Sequence, residues 1–167
     1  PKKISVVHNG VEPLENPPSK SGKSLQELKK AGYKIVAFVG RITLQKGPDY
    51  FLRAAARVLA YNQKVYFLMV GSGDMEHQMI MQAANLGIAD KVFFTGFLRG
   101  DELEEVYRVA DLLVMPSVSE PFGIVPLEAM IRGTPVIISK QSGVSEVVRH
   151  ALKIDFWDVE EMAEKML

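Results

Sequence analysis

The sequence lacks cysteine, an excess of charge of either sign, and any long apolar run. Without cysteine, the chain has no disulfide framework, no cysteine-ligated zinc and no cysteine nucleophile. Its 20 basic residues balance 20 acidic ones, which argues against binding nucleic acid or an anionic membrane through bulk charge. No apolar run approaches the roughly 18 residues of a membrane span, and residues 1–5 lack the apolar core of a signal peptide. We therefore expect a soluble, cytoplasmic domain.

The first 33 residues are expected to form a linker and a short helix that lead into a single folded domain. A length of 167 residues fits one domain. Prolines at positions 13, 17 and 18 disfavour regular structure early in this segment. Ser24 and Glu27 have the spacing of a capping box, and Gly32 suits a helix end, which predicts a helix over residues 24–31. Residues 34–167 would form the main domain, and we expect the natural chain to extend beyond both ends.

From residue 34 onward, short apolar runs alternate with longer helical patterns, which is typical of βαβ units and a parallel sheet. The predicted strands cover residues 35–39, 65–70, 92–94, 112–115 and 136–138. The predicted helices cover residues 48–60, 74–86, 101–110, 124–132, 143–150 and 159–167. The expected fold class is α/β, a Rossmann-like, doubly wound parallel sheet. Ligands of such sheets bind outside the carboxyl ends of the strands, so the residues after each strand are the candidate site.

Helix ends are marked by particular residues. Asp101 and Glu104 have the spacing of an N-cap pair at the start of one predicted helix. Gly87 and Gly133 stand where glycines close two others. These residues place the loops between the predicted helices and strands.

Two cations follow the first predicted strand. Arg41 and Lys46 stand on the connection to a helix whose first position suits Pro48. A guanidinium, an ammonium and the amides of a helix start together favour a phosphate. The segment is not a Walker loop, because the Gly-x-x-x-x-Gly-Lys-Ser/Thr pattern is absent. Two solvated loop cations would give the same pattern, so both interpretations stay open at this point.

A Gly-x-Gly turn, from Gly71 to Gly73, follows the second predicted strand. Such a turn lets the backbone approach a ligand, but Glu76 occupies the third glycine position of the dinucleotide fingerprint. No acidic residue stands within residues 92–96 to bind a ribose, as that fingerprint expects. A plain tight turn is the simpler interpretation, and the broken fingerprint argues against a nicotinamide-dependent oxidoreductase.

Residues 117–130 carry two carboxylates, Glu120 and Glu128. Glu128 cannot complete a capping box, because the residue three positions earlier is Val125. The amides at the start of the following helix, beginning at Gly123, can hold a phosphate or a sugar hydroxyl. Carboxylates that accept hydroxyl groups, together with amides that donate to phosphate, are what a sugar phosphate requires. We expect these groups to share one pocket with the two cations.

Four motifs occur in order along nearly the whole chain: residues 7–12, the pair Arg41 and Lys46, the pair Glu120 and Glu128, and residues 142–148. Together they resemble the C-terminal half of a GT-B glycosyltransferase of the large retaining family known as glycosyl transferases group 1, which includes glycogen synthases. The last motif has Ser145 where the family usually has proline. Residues 149–157 depart from the family's longer glycine-rich stretch, so no role is carried over to them.

The resemblance implies roles for individual residues. Arg41 and Lys46 would contact the nucleotide diphosphate and Glu120 the donor sugar, which makes these three the expected catalytic residues. Glu128 would bind the ribose hydroxyls. The remaining expected substrate-binding residues would make backbone contacts to the phosphate and sugar or would border the nucleotide. They are Gly40, Gly71, Gly73, Phe122, Gly123, Ile124 and Val125. The loop over residues 97–99 would also border the base.

The implied function is donor binding in a retaining, hexosyltransferase-like enzyme that moves a sugar from a nucleoside-diphosphate sugar to a glycan or small-molecule acceptor. The two cations would stabilise the leaving diphosphate, and no Asp-x-Asp pair occurs, so we expect neither a cofactor nor a metal. The expected partners are the nucleoside-diphosphate sugar and an N-terminal acceptor domain that this chain lacks. Without that domain, little or no transfer activity is expected. Nucleic acid is not an expected partner, and this segment does not indicate membrane association.

Two alternatives stay open. A nucleotide-sugar epimerase or a non-catalytic nucleotide-binding Rossmann module would share this architecture, and product analysis on the full-length protein separates transfer from epimerisation. The histidines, His8, His77 and His150, are not grouped in the sequence, so we assign them no catalytic role. Trp157 is expected to be a packing residue because it is bulky and amphipathic.

Overall fold

The computed structural model describes Val7, residues 9–11 and residues 23–167. Most of the expected linker, part of the motif at residues 7–12, and the side chain of Ser24 lie outside the described residues. The predicted capping box and the domain boundary at residue 33 therefore stay predictions. Within the described ranges, no helix combines the length and the apolar character that crossing a membrane requires.

Helices and strands alternate along the described chain. The strands are β1 (Lys34–Val39), β2 (Val65–Val70), β3 (Val92–Gly96), β4 (Leu112–Met115), β5 (Val136–Ser139) and β6 (Leu152–Ile154). The helices are α1 (Lys23–Lys30), α2 (Pro48–Tyr61), α3 (Glu76–Asn85), α4 (Asp101–Val109), α5 (Val125–Met130), α6 (Val144–Val147) and α7 (Val159–Met166). Single 3-10 turns cover Leu44–Lys46 and Ala89–Lys91.

The described strands form one parallel sheet in the order β3-β2-β1-β4-β5-β6. The register of the central pair places Lys34 opposite Val65 and Val39 opposite Val70. The chain builds outward from β1 to β3 and then returns to add β4, β5 and β6 on the other side. This is the doubly wound order of a Rossmann-like fold, and it confirms the α/β fold class predicted from the sequence.

Both faces of the sheet are buried. On β1, Ile35 and Ala37 pack into a cluster with α4, while Val36 and Phe38 pack on the opposite face against α2. Successive side chains of a strand point to opposite faces, so a strand that is covered on both sides needs apolar residues throughout. This requirement explains the uninterrupted apolar runs that predicted the strands.

The strand predictions are confirmed for β1 to β5, with small differences at their ends. The predicted bounds of β2 and β4 match the observed ones, and β1, β3 and β5 extend by one or two residues. The sequence analysis missed β6. This edge strand has three residues with an exposed end at Leu152 and a lysine in the middle, so it offers no apolar run to detect.

The predicted helices are present, but several are shorter. The helix predicted from residue 74 begins at Glu76, whose amide donates to the Gly73 carbonyl at 3.2 Å and so closes a turn before the helix. The helix predicted over residues 143–150 ends at Val147, because Val148 adopts an extended backbone with ψ 119°. Each short helix is stabilised by packing on the sheet more than by its own length.

The prediction that Gly87 and Gly133 close helices is confirmed, whereas the prediction that Asp101 and Glu104 form an N-cap pair is wrong. Gly87 and Gly133 have left-handed φ values of 69° and 83°, as a closing glycine requires. The residue that precedes α4 is Gly100, so Asp101 is already helical and caps nothing. Glu104 instead pairs with Arg132, which follows α5. The spacing was correct for a capping box, but a long-range ion pair uses the carboxylate.

Candidate functional site

The strand order of the sheet reverses between β1 and β4, which are neighbouring parallel strands. The connection after β1 leads to β2 on one side, and the connection after β4 leads to β5 on the other. Loops that diverge in this way leave a crevice at the carboxyl ends of the two strands, where ligands of open α/β sheets bind. The loops over residues 40–47 and 116–124 border this crevice.

Backbone contacts tie these two loops together. The Gln45 carbonyl accepts hydrogen bonds from the amides of Val118 at 2.9 Å and Ser119 at 3.3 Å. Gly47 has a left-handed φ of 65°, and a Cβ there would overlap the first backbone carbonyl after β4. Only glycine meets both conditions. Lys46, which lies between these two residues, is therefore held against the loop that follows β4.

Lys46 and Glu120 form an ion pair across the crevice. The Lys46 ammonium donates to Glu120 Oε2, and the two side chains are only 21% and 11% exposed. The Glu120 carbonyl accepts a hydrogen bond of 3.0 Å from the Gly143 amide, which anchors this loop to the start of α6. The ammonium can donate to an anion and the carboxylate can accept from hydroxyls, so the pair is able to bind a ligand that carries both.

Arg41 lies beside a cavity of about 430 Å³. Its described lining is mainly apolar and comes from the ends of β1 and β2, the segment before α4 and the first turn of α4. The lining residues are Val39, Gly40, Arg41, Val70, Gly71, Ser72, Phe97, Leu98 and Leu103. The Arg41 side chain is exposed. An apolar pocket with one cation at its mouth suits a flat, uncharged group attached to an anion.

The glycines of the Gly71–Gly73 turn let two loops approach each other. A Cβ on Gly71 would overlap the Gly40 carbonyl oxygen, and one on Gly73 would overlap the Ile42 carbonyl oxygen. The Ile42 amide also donates to the Ser72 carbonyl at 3.0 Å. Backbone atoms of the loop after β1 thus occupy the space that a side chain at either glycine would need. Gly40 and Gly71 in addition line the cavity, so their expected contact with a nucleotide stays a prediction.

The segment that precedes α5 is anchored through its backbone. The Phe122 carbonyl accepts a hydrogen bond of 2.7 Å from the Val144 amide, and Gly123 has a left-handed φ of 95°. The helix then begins at Val125, with Pro126 in its first turn, where the missing amide of a proline costs little. Ile124 is partly exposed. These residues lie at the crevice as expected, and their contact with phosphate or sugar stays a prediction.

Glu128, on α5, accepts a hydrogen bond of 2.6 Å from the Tyr107 hydroxyl at Oε2. Tyr107 belongs to α4 and is 1% exposed. Burial, followed by the hydrogen bond to the Glu128 carboxylate and the negative charge of that carboxylate, raises the pKa of the Tyr107 phenol far above its usual value. The phenol therefore stays protonated and acts as the donor in this pair.

The structure brings some of the predicted residues together and leaves others apart. Lys46 meets Glu120, while Arg41 lies with two of the predicted glycines around the cavity. Lys46, Glu120 and Glu128 are not among the described residues that line this cavity. A single pocket that holds all four charged groups therefore stays a prediction.

Sequence reasoning missed Tyr107, whose side chain contacts a predicted site residue. Its position between two apolar positions of an amphipathic helix gives it the pattern of a core residue, and it is one. Leu103 was missed for the same reason, although it lines the cavity. No signal in a single sequence separates such residues from ordinary core positions.

The residues that were expected to have no catalytic role lie outside these contacts. His77 and His150 are exposed, and His8 is outside the described residues. Trp157 packs edge-on against Phe156, with ring centroids 4.8 Å apart, but 57% of it is exposed, so its packing role is limited. In the described part of the chain, no three His, Cys, Asp or Glu side chains are placed to hold a metal ion. The expected independence from metal stays a prediction.

Known proteins resemble this chain in sequence. Residues 21–167 match the family model described as glycosyl transferases group 1. An uncharacterized glycosyltransferase of Methanocaldococcus jannaschii is 40% identical over 154 residues, which are 89% of this chain and 39% of that protein. A D-inositol 3-phosphate glycosyltransferase of Segniliparus rotundus is 37% identical over 94% of this chain and 37% of its own length. The chain thus spans less than two fifths of these curated relatives.

Solved structures show the same fold. Anabaena HepE, crystallised in complex with UDP-glucose, has a TM-score of 0.78 and 29% identity over 90% of this chain and 43% of its own. The C-terminal domain of a glycosyl transferase group 1 family protein from Francisella tularensis has a TM-score of 0.76 and 22% identity, over 89% of this chain and 82% of its own. The family model covers most of the chain, and two relatives exceed 35% identity over most of it. The chain belongs to the glycosyl transferases group 1 family.

Proposed function

We propose that this chain is the donor-binding domain of a retaining glycosyltransferase, and that it binds a nucleoside-diphosphate sugar in the crevice between β1 and β4. The observation that carries the proposal is the Lys46–Glu120 ion pair at this crevice. It combines a donor for phosphate with an acceptor for sugar hydroxyls, and the Lys46 side chain lies beside Gly40, which lines the cavity of about 430 Å³. HepE, a relative in fold and sequence, was crystallised with UDP-glucose, which supports this class of ligand.

The residues have distinct roles in this proposal. Arg41 and Lys46 bind the diphosphate, Glu120 accepts hydrogen bonds from the sugar, and Glu128 accepts them from the ribose. The cavity beside Arg41 takes the base against the side chain of Phe97, which is 70% exposed and so available for contact. The loop over residues 97–99 borders this base.

In the chemical step, the anomeric carbon of the sugar exchanges its bond to the diphosphate for a bond to the acceptor. The bond between the anomeric carbon and the diphosphate oxygen breaks, and its electron pair stays on the diphosphate. An acceptor hydroxyl oxygen bonds to the anomeric carbon on the face that the diphosphate leaves, as retention requires, and its proton passes to the departing diphosphate. Negative charge therefore grows on the diphosphate, where Arg41 and Lys46 stabilise it, and losing one such group typically raises the barrier by about 2.7–4 kcal/mol.

We also propose that a second domain supplies the acceptor site. The curated relatives are more than twice as long as the matched region, which leaves room for such a domain. The chain alone would then bind the donor but transfer little or no sugar. Retention of configuration follows from the resemblance to the retaining family, and the anomeric configuration of the product, read by proton NMR on a chain that carries both domains, tests it.

Titration calorimetry on this chain tests donor binding. We expect saturable but weak binding of UDP-glucose, or of the matching ADP- or GDP-sugar. Arg41→Ala and Lys46→Ala should each weaken it by about tenfold or more, because each removes charge-assisted hydrogen bonds to phosphate. Lys64→Ala is the matched control, because this lysine is exposed and precedes β2, at the opposite end of the sheet.

Two outcomes would contradict the proposal. The absence of saturation with all three nucleotide sugars at millimolar concentration would argue against a donor site. Equal losses in the three lysine and arginine variants would argue against the phosphate assignment, since the control residue is remote from the crevice. Circular dichroism of each variant shows that the comparison is made on folded protein.

A further inference from the structure

We propose that Tyr107 is a positioning residue for donor binding: its hydroxyl holds one carboxylate oxygen of Glu128 so that the other oxygen is presented to the ribose. This inference rests on the proposed function, because it concerns the carboxylate assigned to the ribose hydroxyls. It adds a residue that lies on a different helix from every predicted site residue and that lines no cavity among those described.

The contact joins two helices. Tyr107 lies on α4 and Glu128 on α5, 21 residues later, and the hydroxyl oxygen lies 2.6 Å from Glu128 Oε2. This length is typical of a hydroxyl that donates to a charged carboxylate, a bond about twice as strong as one between neutral groups. Tyr107 is almost fully buried while Glu128 is half-buried. The Glu128 carboxylate is therefore held from the protein side by a buried donor, on a side chain that is itself partly exposed.

The donor and the acceptor in this bond cannot exchange roles. Burial and the adjacent carboxylate keep the pKa of Tyr107 well above its usual value, so the phenol remains protonated at any working pH. A phenol has a single proton to donate, whereas a carboxylate has about four acceptor positions on its two oxygens. The bond orients Glu128 and uses only one of its acceptor positions, so the ribose hydroxyls can donate to the others.

Tyr107 is itself held in place through its backbone and through its ring. Thr134 Oγ1 donates to the Tyr107 backbone carbonyl. The Arg132 guanidinium lies over the ring, 5.2 Å from its centroid, and also pairs with Glu104 and donates to the Glu128 carbonyl. A group whose support is held by packing and further hydrogen bonds keeps its orientation before the ligand arrives. This arrangement is what a positioning role requires.

The competing explanation is that this contact only clamps α4 to α5. A clamp predicts that loss of the hydroxyl lowers stability and weakens all nucleotides alike. A positioning role predicts a selective loss, confined to ligands that carry ribose hydroxyls. The two explanations therefore separate when UDP is compared with 2′,3′-dideoxy-UDP, which lacks both hydroxyls.

The experiment measures the affinity of this chain for both nucleotides by titration calorimetry. We expect the unmodified chain to bind UDP about tenfold more tightly than the dideoxy nucleotide. In Tyr107→Phe, affinity for UDP should fall by about fivefold to tenfold while affinity for the dideoxy nucleotide stays within twofold. Glu128→Gln should likewise reduce the preference for UDP over the dideoxy nucleotide. The double variant should show no further loss of affinity for UDP, because the two residues act on one contact.

A destabilised control separates a general loss of stability from the role of the hydroxyl. Gly87→Ala forces a side chain onto a left-handed backbone after α3 and keeps Tyr107 and its partners, so the melting temperature should fall with the ribose preference intact. An unchanged preference in Tyr107→Phe would overturn the inference, whatever happens to stability. A lack of preference in the unmodified chain would instead overturn the ribose assignment of the proposed function, and the inference with it. Additive losses in the double variant would also contradict the proposed coupling.

Discussion

Replacing Glu120 by glutamine is expected to change the binding of UDP and UDP-glucose in opposite directions. In the chain without ligand, the Lys46 ammonium is neutralised by Glu120, and both side chains are largely buried. A diphosphate that binds Lys46 must compete with this carboxylate. Glu120→Gln removes the competing charge, so UDP should bind more tightly. The sugar of UDP-glucose loses its charged acceptor, so the gain from adding glucose should shrink.

The structure sets the scale of both effects. An exposed ion pair contributes about 0–1 kcal/mol, and two charges 4 Å apart interact by about 4 kcal/mol at an effective dielectric constant of 20. The Lys46–Glu120 pair, at 21% and 11% exposure, lies between these limits. Taking about 1.4 kcal/mol, we expect UDP to bind the variant roughly tenfold more tightly. The lost hydrogen bonds to the sugar cost about 1.5–3 kcal/mol, which cancels or exceeds this gain for UDP-glucose.

Titration calorimetry with both ligands measures the ratio of their dissociation constants. We expect the preference for UDP-glucose over UDP to fall by about tenfold or more in Glu120→Gln. Glu164→Gln is the control, because it removes an exposed carboxylate on α7. Weaker binding of UDP to Glu120→Gln would refute the idea that the carboxylate competes for Lys46. An unchanged ratio of the two ligands would refute its contact with the sugar.

Two further substitutions test the support of the site. Gly71→Ala places a Cβ onto a backbone carbonyl of the loop after β1, so it should lower the melting temperature more than Gly87→Ala does. Gly87 also has a positive φ, but nothing lies within 4 Å of a Cβ placed there. Equal shifts in differential scanning calorimetry would contradict this expectation. Arg132→Ala removes the partner of the Glu104 carboxylate, whose side chain is 14% exposed, and should lower the free energy of unfolding in urea by about 3 kcal/mol. Arg57→Ala breaks an exposed pair and should lower it by about 1 kcal/mol or less. Similar losses in both arginine variants would show that the α4–α5 contact is no stronger than a surface pair.

The fold could be predicted from the sequence because its main constraint is local. A strand covered on both faces must be apolar at every position, and runs such as residues 65–70 meet this condition without ambiguity. The sequence predicted a site at the carboxyl ends of the strands, and the observed strand order places the crevice there between the loops after β1 and β4. β6 was missed because a three-residue edge strand with Lys153 at its centre has no apolar run.

The contacts within the site could not be predicted in the same way. Lys46 and Glu120 are 74 residues apart in sequence, and their pairing depends on how Gln45 and Gly47 hold one loop against the other. Glu104 is a second case in which sequence spacing does not predict the partner of a side chain. Its spacing suggested a cap, but the side chain reaches a partner 28 residues away. Sequence spacing identifies which groups a loop carries, and tertiary packing decides which of them meet.

The Lys46–Glu120 pair also gives the proposed site a physical basis for selectivity. Each charge is largely buried, so a ligand that takes only one of them leaves the other without a partner, which is costly in a buried setting. A free sugar offers hydroxyls but cannot replace the ammonium of Lys46 as counterion. A bare diphosphate can take the ammonium but leaves the Glu120 carboxylate unpaired beside its own negative charge. We expect the lowest cost for a ligand that carries an anion and hydroxyl groups on one molecule, because it replaces both partners at once.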